Sequence, residues 1–245
     1  DLNLDQVRFP EKLQSLTFGD AFNRSLDRVM LPGNLLQLTL GDEFNQSMEQ
    51  VKFPEKLQDL TFGYHFNQSL ENVTLPSSIK SIFFGRDFNQ SLLNVIWPTE
   101  LQSLTLGDKF NQSLEQVKFP EGLESLEFGR DFNHSLERVH LPSDLQRLTF
   151  GYYFDHNLEE VSLPGKLKSL TFGDRFNRSL ERVHFPVSLE RLTLGQKFNQ
   201  SLELVKLPTL KELTLGLNVN SSFVKCSAQL QKLICNGLLV SSLCN

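Results

Sequence analysis

The chain has 245 residues, of which 39% are hydrophobic and 22% charged, a composition typical of a folded globular domain. Its net charge of -5 argues against a nucleic-acid surface, which would need a basic stripe, so no nucleic-acid partner is expected. No apolar run approaches the roughly 18 residues that a membrane-spanning helix needs, so we expect no membrane insertion.

Proline recurs with a fixed period of 22 residues from one end of the chain to the other. A fixed period of this size is the signature of a solenoid or a related repeat architecture. One repeat, beginning at Phe44, reads FNQSMEQVKFPEKLQDLTFGYH. The ten prolines are Pro10, Pro32, Pro54, Pro76, Pro98, Pro120, Pro142, Pro164, Pro186 and Pro208.

In chain order, each repeat holds two similar apolar units, illustrated by residues 26–31 and 35–40. The last two apolar positions of each unit alternate with one residue between them, which is the spacing of a β-strand. Proline follows the first unit and ends it, because proline has no N–H for a strand ladder. Glycine follows the second unit, where we expect it to supply a corner with positive φ. Each repeat therefore predicts two short strands and two tight corners.

No helical pattern fits between these strands, so the predicted fold class is all-β. We expect a solenoid of about ten 22-residue coils, with two short strands per coil and parallel sheets. Residues 1–216 form the predicted solenoid, and residues 217–245 form a degenerate C-terminal cap. Leu230, Leu233 and Cys235 make one last apolar unit in that cap, which would cover an otherwise open strand edge.

Two columns of equivalent residues predict the interior of the coil. A phenylalanine repeats as Phe44, Phe66 and so on, and is expected to stack into a continuous core. An asparagine follows it directly, and an inward-facing amide there would bond backbone groups at the corner that no strand ladder reaches. The predicted structural ladder comprises Asn45, Asn67, Asn89 and Asn111.

The pattern L-P-x-x-[LI]-x-x-[LI]-x-F-G-x-x-F-N-Q, clear in residues 75–90, resembles the FNIP repeat of protists. The element S-L-x-x-V-x-[LF]-P also resembles BspA-like leucine-rich repeats. Serine follows the Asn-Gln pair here, where FNIP repeats usually have proline. The resemblance implies a leucine-rich-repeat-type solenoid and a role in protein interaction, and it implies no enzymatic activity.

Catalytic and metal-binding signatures are absent from the sequence. The five histidines are scattered, and no nucleophile, base and orienting residue recur together. We therefore expect no enzyme, no cofactor, no metal and no small-molecule substrate. Cys226, Cys235 and Cys244 lack a metal-binding spacing, which leaves buried thiols or one disulfide open.

The repeat that departs most from the common pattern is the best candidate for a binding site. Phe83 replaces the usual threonine, Leu93 an acidic residue, and Ile96 a lysine or histidine. Exposed apolar side chains often mark contact surfaces. Tyrosines at the glycine corner make a second candidate. The candidate partner-binding residues are Leu93, Asn94, Ile96, Phe83, Lys118, His140, Tyr152 and Tyr153.

These features favour a non-enzymatic protein-binding or scaffolding module that presents a rigid sheet surface to a protein partner. We place the first binding surface on the face of the first strand, around Ile96. One alternative is a structural spacer or subunit of a larger assembly. Another, suggested by one threonine per coil, is a carbohydrate- or ice-binding solenoid. The chain begins in the middle of a repeat and residues 1–10 show no secretory signal, so a cytoplasmic location is the default expectation.

Overall fold

The computed structural model describes residue 4 and residues 7–218, 229–235 and 238–239. Its regular structure is one sheet of 12 strands whose spatial order follows the chain. The strands are β1 (Ser15–Thr17), β2 (Gln37–Thr39), β3 (Asp59–Thr61), β4 (Ser81–Phe83), β5 (Ser103–Thr105), β6 (Ser125–Glu127), β7 (Arg147–Thr149), β8 (Ser169–Thr171), β9 (Arg191–Thr193), β10 (Glu212–Leu215), β11 (Lys232–Cys235) and β12 (Leu238–Leu239). The chain therefore winds as a solenoid and lays each strand beside the previous one.

Neighbouring strands from β1 to β11 are parallel, and equivalent residues of successive coils lie opposite each other. Ser81 of β4 is opposite Ser103 of β5, a separation of one 22-residue period. The predicted all-β solenoid of 22-residue coils with parallel strands is confirmed. None of the described residues belongs to a helix long and apolar enough to cross a lipid bilayer.

The structure corrects one part of the prediction, because each described coil contains one strand and not two. The first apolar unit, such as Val95 to Trp97, forms no strand and makes no backbone hydrogen bond to the adjacent coils. The Val95 N–H is already bonded to the Leu92 carbonyl within its own coil at 3.3 Å. Pro98, directly after the unit, has no N–H to donate. Too few donors therefore remain for a second ladder.

Each coil also has three tight turns, where the sequence predicts two corners. In the coil of β4, the Phe88 N–H donates to the Gly85 carbonyl and the Val95 N–H donates to the Leu92 carbonyl. After the proline, the Leu101 N–H closes a third turn on the Pro98 carbonyl at 3.2 Å. Each of these hydrogen bonds joins residues three positions apart, so the chain turns at three places in each coil.

The corner glycines have a different role from the one that the sequence predicts. No corner glycine has a left-handed φ. Instead, a Cβ built on Gly107 would lie 1.9 Å from the carbonyl oxygen of Gly85, its equivalent in the preceding coil. Glycine carries only a hydrogen in that position, which leaves room for the carbonyl oxygen. Glycine is required here because successive coils touch backbone to backbone.

Stacked phenylalanine rings fill the core behind the sheet. Within the coil of β4, the rings of Phe84 and Phe88 stack with centroids 3.9 Å apart, and both side chains are fully buried. Burying one such side chain contributes about 1.5–3 kcal/mol. The fully buried rings of the second column are Phe44, Phe66, Phe88, Phe110, Phe132, Phe154, Phe176 and Phe198. This column runs the length of the described solenoid and ties its coils into one core.

Spacing between coils increases with distance from the sheet. Parallel strands lie about 4.8 Å apart. Rings that directly follow their strands have centroids 5.1 Å apart for Phe62 and Phe84, 5.7 Å for Phe128 and Phe150, and 5.5 Å for Phe150 and Phe172. Deeper in the core, the centroids of Phe88 and Phe110 are 6.2 Å apart. We infer from these ring separations that successive coils fan out and that the sheet lies on the inner, concave side of the curve.

Part of the predicted C-terminal cap lies within the described residues. Strand β11 continues the parallel sheet beside β10, and β12 pairs with β11 in the antiparallel direction. Leu233 is buried, while Cys235 is half-buried, and burial raises the pKa of its thiol. Residues 219–228, 236–237 and 240–245, which include Cys226 and Cys244, lie outside the described residues. The boundary at residue 216 stays a prediction.

Candidate functional site

The predicted site residues fall on two different parts of the coil. We name residues 79–90 and their equivalents the strand side, and residues 91–98 and their equivalents the proline side. Phe83, Tyr152 and Tyr153 lie on the strand side. Leu93, Asn94, Ile96, Lys118 and His140 lie on the proline side. Their expected position on a strand face is therefore corrected, since no strand forms there in the described residues.

On the proline side, Ile96 and Leu93 are the exposed apolar residues of the fourth repeat, with 76% and 44% of their surface accessible. The Asn94 amide donates a hydrogen bond to the Glu71 carboxylate at 2.7 Å. Ile96 shares its column with charged or polar neighbours one coil away on each side, Thr74 and Lys118. The patch is therefore small.

His140 and Glu121 form a separate polar contact on the proline side. The His140 Nε2 atom lies 3.2 Å from a Glu121 carboxylate oxygen. The other oxygen accepts the Ser143 N–H at 3.0 Å, and this bond is the main reason that the pKa of Glu121 is lowered. His140 thus contacts Glu121, and it does not form one surface with Leu93 and Ile96.

The strand side carries a groove with a volume of about 680 Å³ that crosses the seven coils from β1 to β7. One ridge is the last residue of each strand, usually threonine. The other ridge is the residue directly after each corner glycine, Asp42 in the second coil and Arg86 in the fourth. The glycines lie between the two ridges and have no side chain to fill the space. Their backbone therefore forms part of the groove lining.

Phe83 interrupts the threonine ridge in the middle of the groove. It is opposite Thr61 on β3 and Thr105 on β5, and 45% of its surface is exposed. Across the groove stand Tyr64 and Arg86, and the Arg86 guanidinium donates to the Tyr64 hydroxyl and lies 5.1 Å from the tyrosine ring centroid. The groove thus has an aromatic centre with one stacked cation.

Four carboxylates line the groove: Asp20, Asp42, Asp108 and Glu127. Within the described part of the chain, none of them lies within ion-pair distance of a cation. Asp42 and Asp108 each accept a backbone N–H from the next coil, at 3.2 and 3.4 Å. Against these four negative charges stand only the guanidinium groups of Arg86 and Arg130. The groove therefore has a net negative charge.

Tyr152 and Tyr153 lie between two arginines of the adjacent coils. The guanidinium carbon of Arg130 is 5.6 Å from both ring centroids, and that of Arg175 is 5.7 and 4.9 Å away. Such stacking holds an extended arginine in place through the attraction between a cation and an aromatic face. The structure brings Tyr152 into the lining at one end of the groove, far from Leu93 and Ile96.

A chain of charges runs along the outer edge of the glycine corner. His65 lies 2.7 Å from one Asp87 oxygen, and Lys109 lies 2.9 Å from the other. The Lys109 hydrogen bond, followed by that of His65, holds the pKa of Asp87 below its usual value. Asp87 therefore stays ionised at neutral pH and joins three successive coils.

The asparagine column forms a hydrogen-bonded ladder between coils. The side-chain oxygen of Asn67 accepts the backbone N–H of Asn89 at 2.9 Å and the Gln90 amide at 3.0 Å. Asn45 makes the same bond to the coil of Asn67, and Asn89 to that of Asn111. These asparagines are half-buried or exposed, so the ladder runs along the surface of the corner and not through the core.

Sequence reasoning identified Phe83 but missed the groove as a unit. On the ridge directly after each glycine, the tyrosines were predicted, while the aspartates Asp20, Asp42 and Asp108 were missed, although the 22-residue recurrence of charged residues there was their signal. Among the described residues, no group of three or more histidine, cysteine, aspartate or glutamate side chains is arranged to hold a metal ion.

A solenoid of stacked parallel strands with leucine at the inward positions defines the leucine-rich-repeat class of protein. CroV588, a circular LRR protein, is similar to this chain, with a TM-score of 0.68 and 30% identity over 96% of the chain. The match spans 42% of CroV588, so the chain is less than half its length. The internalin InlF from Listeria monocytogenes strain 4b F2365 has a TM-score of 0.57 at 16% identity, over 93% of this chain and 74% of its own. At that identity it shows the fold alone.

Within this class, the chain belongs to the FNIP repeat family. The FNIP Repeat model matches residues 3–43, 44–87, 66–109, 88–131, 110–153, 132–175 and 176–218. The predicted family is therefore confirmed. The curated proteins include no match to this sequence. Leucine-rich-repeat proteins generally mediate protein interactions and are typically non-catalytic.

Proposed function

We propose that this protein is a non-enzymatic binding module that holds an extended segment of a partner protein in the strand-side groove. The observation that carries the proposal is Phe83, a large aromatic residue exposed in the middle of a groove where the repeat otherwise places threonine. Exposed apolar side chains in a concave, well-formed surface are the usual anchors of protein interfaces.

The dimensions of the groove favour an extended peptide. Seven coils correspond to six strand spacings, or about 29 Å. An extended chain advances about 3.3 Å per residue, so roughly nine residues fit along the groove. The rigid coils on both sides need not reorganise on binding, which lowers the entropic cost of association.

The groove is favoured over the proline-side patch, over ice binding and over a purely structural role. Leu93 and Ile96 form a small patch between polar neighbours, while Phe83 lies in a continuous channel. A threonine column suited to ice would have to be flat and unbroken. Here the coils fan out, and Phe83 and Glu127 interrupt the column. A structural spacer, or a subunit bound through its ends, would not require such a groove.

The decisive experiment compares two variants that each restore the repeat pattern. Phe83→Thr removes the aromatic anchor from the groove, and Ile96→Lys removes the apolar residue from the proline side. Linear peptides are selected from a random displayed library on the wild-type chain, and their affinities for all three proteins are measured by fluorescence anisotropy. We expect Phe83→Thr to weaken binding about tenfold or more, as for an interface anchor, and Ile96→Lys to leave it unchanged.

Circular dichroism checks that both variants keep the wild-type fold. Binding that is lost in Ile96→Lys and kept in Phe83→Thr would move the site to the proline side. Binding insensitive to both changes, or the selection of no peptide at all, would overturn the proposed groove function.

A further inference from the structure

We infer, on the basis of the groove function proposed above, that the partner segment is an extended peptide with basic residues on both sides of an apolar residue. Three features support this choice: the unpaired carboxylates, their distribution along the groove, and the position of Phe83 between them.

The carboxylates form two separate groups. Asp20 and Asp42 stand on the same ridge in the first two coils of the groove. Asp108 and Glu127 stand on opposite ridges in the fifth and sixth coils, so a cation between them would face a carboxylate from each side. In the described residues, neither group has an ion-pair partner of its own. Each group is therefore a place where a lysine or arginine of the partner is stabilised.

The two arginines of the groove do not neutralise these groups. Arg86 leans toward the preceding coil, where it bonds the Tyr64 hydroxyl. Arg130 leans toward the following coil, where it lies over the rings of Tyr152 and Tyr153. Both guanidinium groups are thus drawn away from the coil of Asp108, which lies between them. Arg86 is held at the coil of Tyr64, beside that of Asp42, but among the described residues it forms no ion pair with Asp42. Both acidic groups therefore stay open to a ligand.

The spacing of the groups fixes the spacing of the partner's residues. Four coils, or about 19 Å, separate the centres of the two acidic groups, which is about six residues of extended chain. Phe83 lies about 12 Å from the first group, or about four residues. Even separations place all three side chains on one face of an extended peptide. The matching segment has basic residues at its first and seventh positions and an apolar residue at its fifth, or the same pattern in reverse.

The test uses synthetic peptides of seven residues labelled with a fluorophore. The basic probe has lysine at its first and seventh positions, phenylalanine at its fifth and serine or glycine elsewhere. A second probe has the reversed sequence, and an acidic probe has glutamate in place of lysine. We expect a basic probe to bind at least about tenfold more tightly than the acidic one, and its affinity to fall as salt screens the charges.

Protein variants locate the binding to the carboxylates. Asp42→Asn and Asp108→Asn remove a charge and keep the acceptor for the backbone N–H of the next coil. Asp174→Asn is the matched control, because Asp174 makes the same bond to Gln196 but lies outside the groove. We expect the two groove variants to weaken the basic probe about two- to fivefold each, and the control to leave it unchanged.

The outcomes separate this inference from the groove function. Equal or tighter binding of the acidic probe, or no effect of Asp42→Asn and Asp108→Asn, would overturn the basic-peptide assignment. If neither probe binds while library-selected peptides depend on Phe83, the groove function stands and the basic pattern is wrong. If no peptide of any kind binds, both are wrong.

Discussion

The two sides of each coil start from similar apolar patterns and are held together by different forces. On the strand side, adjacent coils exchange backbone hydrogen bonds in register, touch glycine to glycine and share the asparagine ladder. On the proline side of the described coils, no backbone hydrogen bond joins one coil to the next, and the nearest lie just beyond it, where the Glu100 N–H donates to the Ser77 carbonyl at 3.2 Å. There the coils are held mainly by packing of Val, Leu and Phe side chains against the common core, with side-chain hydrogen bonds such as that from Asn94 to Glu71.

This difference indicates which positions of the coil tolerate substitution. Hydrogen bonds and backbone contacts require the same atoms in every coil. The corner glycines of the strand side therefore cannot be replaced by larger residues. Apolar packing is less demanding in geometry, and apolar side chains of different size are tolerated where the neighbouring side chains repack around them. Accordingly, one column of the proline side holds Leu75, Trp97 and Phe119 in three successive coils.

The largest predicted effect breaks the glycine contact. In Gly107→Ala, the new Cβ would lie 1.9 Å from the Gly85 carbonyl oxygen, so two coils would have to move apart. We expect the free energy of unfolding to fall by about 3 kcal/mol or more, as in severe overpacking. Thermal or urea denaturation followed by circular dichroism measures the change.

Gly122→Ala is the matched control for that variant. Gly122 lies two residues after Pro120, is exposed, and has no heavy atom within 4 Å of a built Cβ. We expect a change of less than about 1 kcal/mol, with stabilisation favoured because alanine restricts the unfolded chain. Equal losses in both variants would show that the glycine corner is no stricter than the turn after the proline.

A smaller effect sharpens the comparison at the asparagine ladder. Asn67→Ala leaves the Asn89 N–H and the Gln90 amide without their acceptor, and we expect a loss of about 1–2 kcal/mol. Asn67→Asp keeps an acceptor, as Asp155 does naturally when it receives the Asn177 N–H at 2.9 Å. It should lose less than the alanine variant in the same denaturation experiment. The opposite order would mean that the ladder stabilises through the amide group and not through its oxygen.

The smallest predicted effect lies on the proline side. The Trp97 side chain is largely buried, and its indole nitrogen has no hydrogen-bond partner among the described residues. Trp97→Phe loses apolar area and also removes this unsatisfied donor, so the two effects offset each other to within about 1 kcal/mol. Circular dichroism is the suitable probe, since the variant lacks the chain's one tryptophan. A loss above about 2 kcal/mol would indicate that the indole has a partner.

Much of the fold was predictable because the same residue pattern recurs in every coil. The period predicted the coil length, and the apolar alternation around Ile82 and its equivalents, such as Leu104, located the strands that form. The apolar alternation did not reveal that the N–H of Val95 and its equivalents is bonded in a turn within its own coil. A pattern of apolar side chains does not show which backbone groups form hydrogen bonds. The second strand was therefore predicted where none forms.

The candidate site was predictable only in part. Phe83 was visible as a departure from its column, and the structure places it in the groove. Its separation from Ile96 was also predictable, because the two residues belong to different apolar units of the repeat. The groove itself depends on the close contact of Gly85 with Gly107. Sequence spacing shows that glycine recurs, but not whether it serves a left-handed turn or a close approach.

The glycine contact also has a consequence for how the chain absorbs insertions and deletions. Gly195 and Gly216 are 21 residues apart, one fewer than the usual period, yet a Cβ on Gly216 would still lie 2.3 Å from the Gly195 oxygen. The missing residue is accommodated after the proline, where the Leu210 N–H reaches back to the Leu207 carbonyl and not to Pro208. This deletion is thus absorbed in the turn beside the proline, while the glycine row keeps the shortened coil in register with the coil before it.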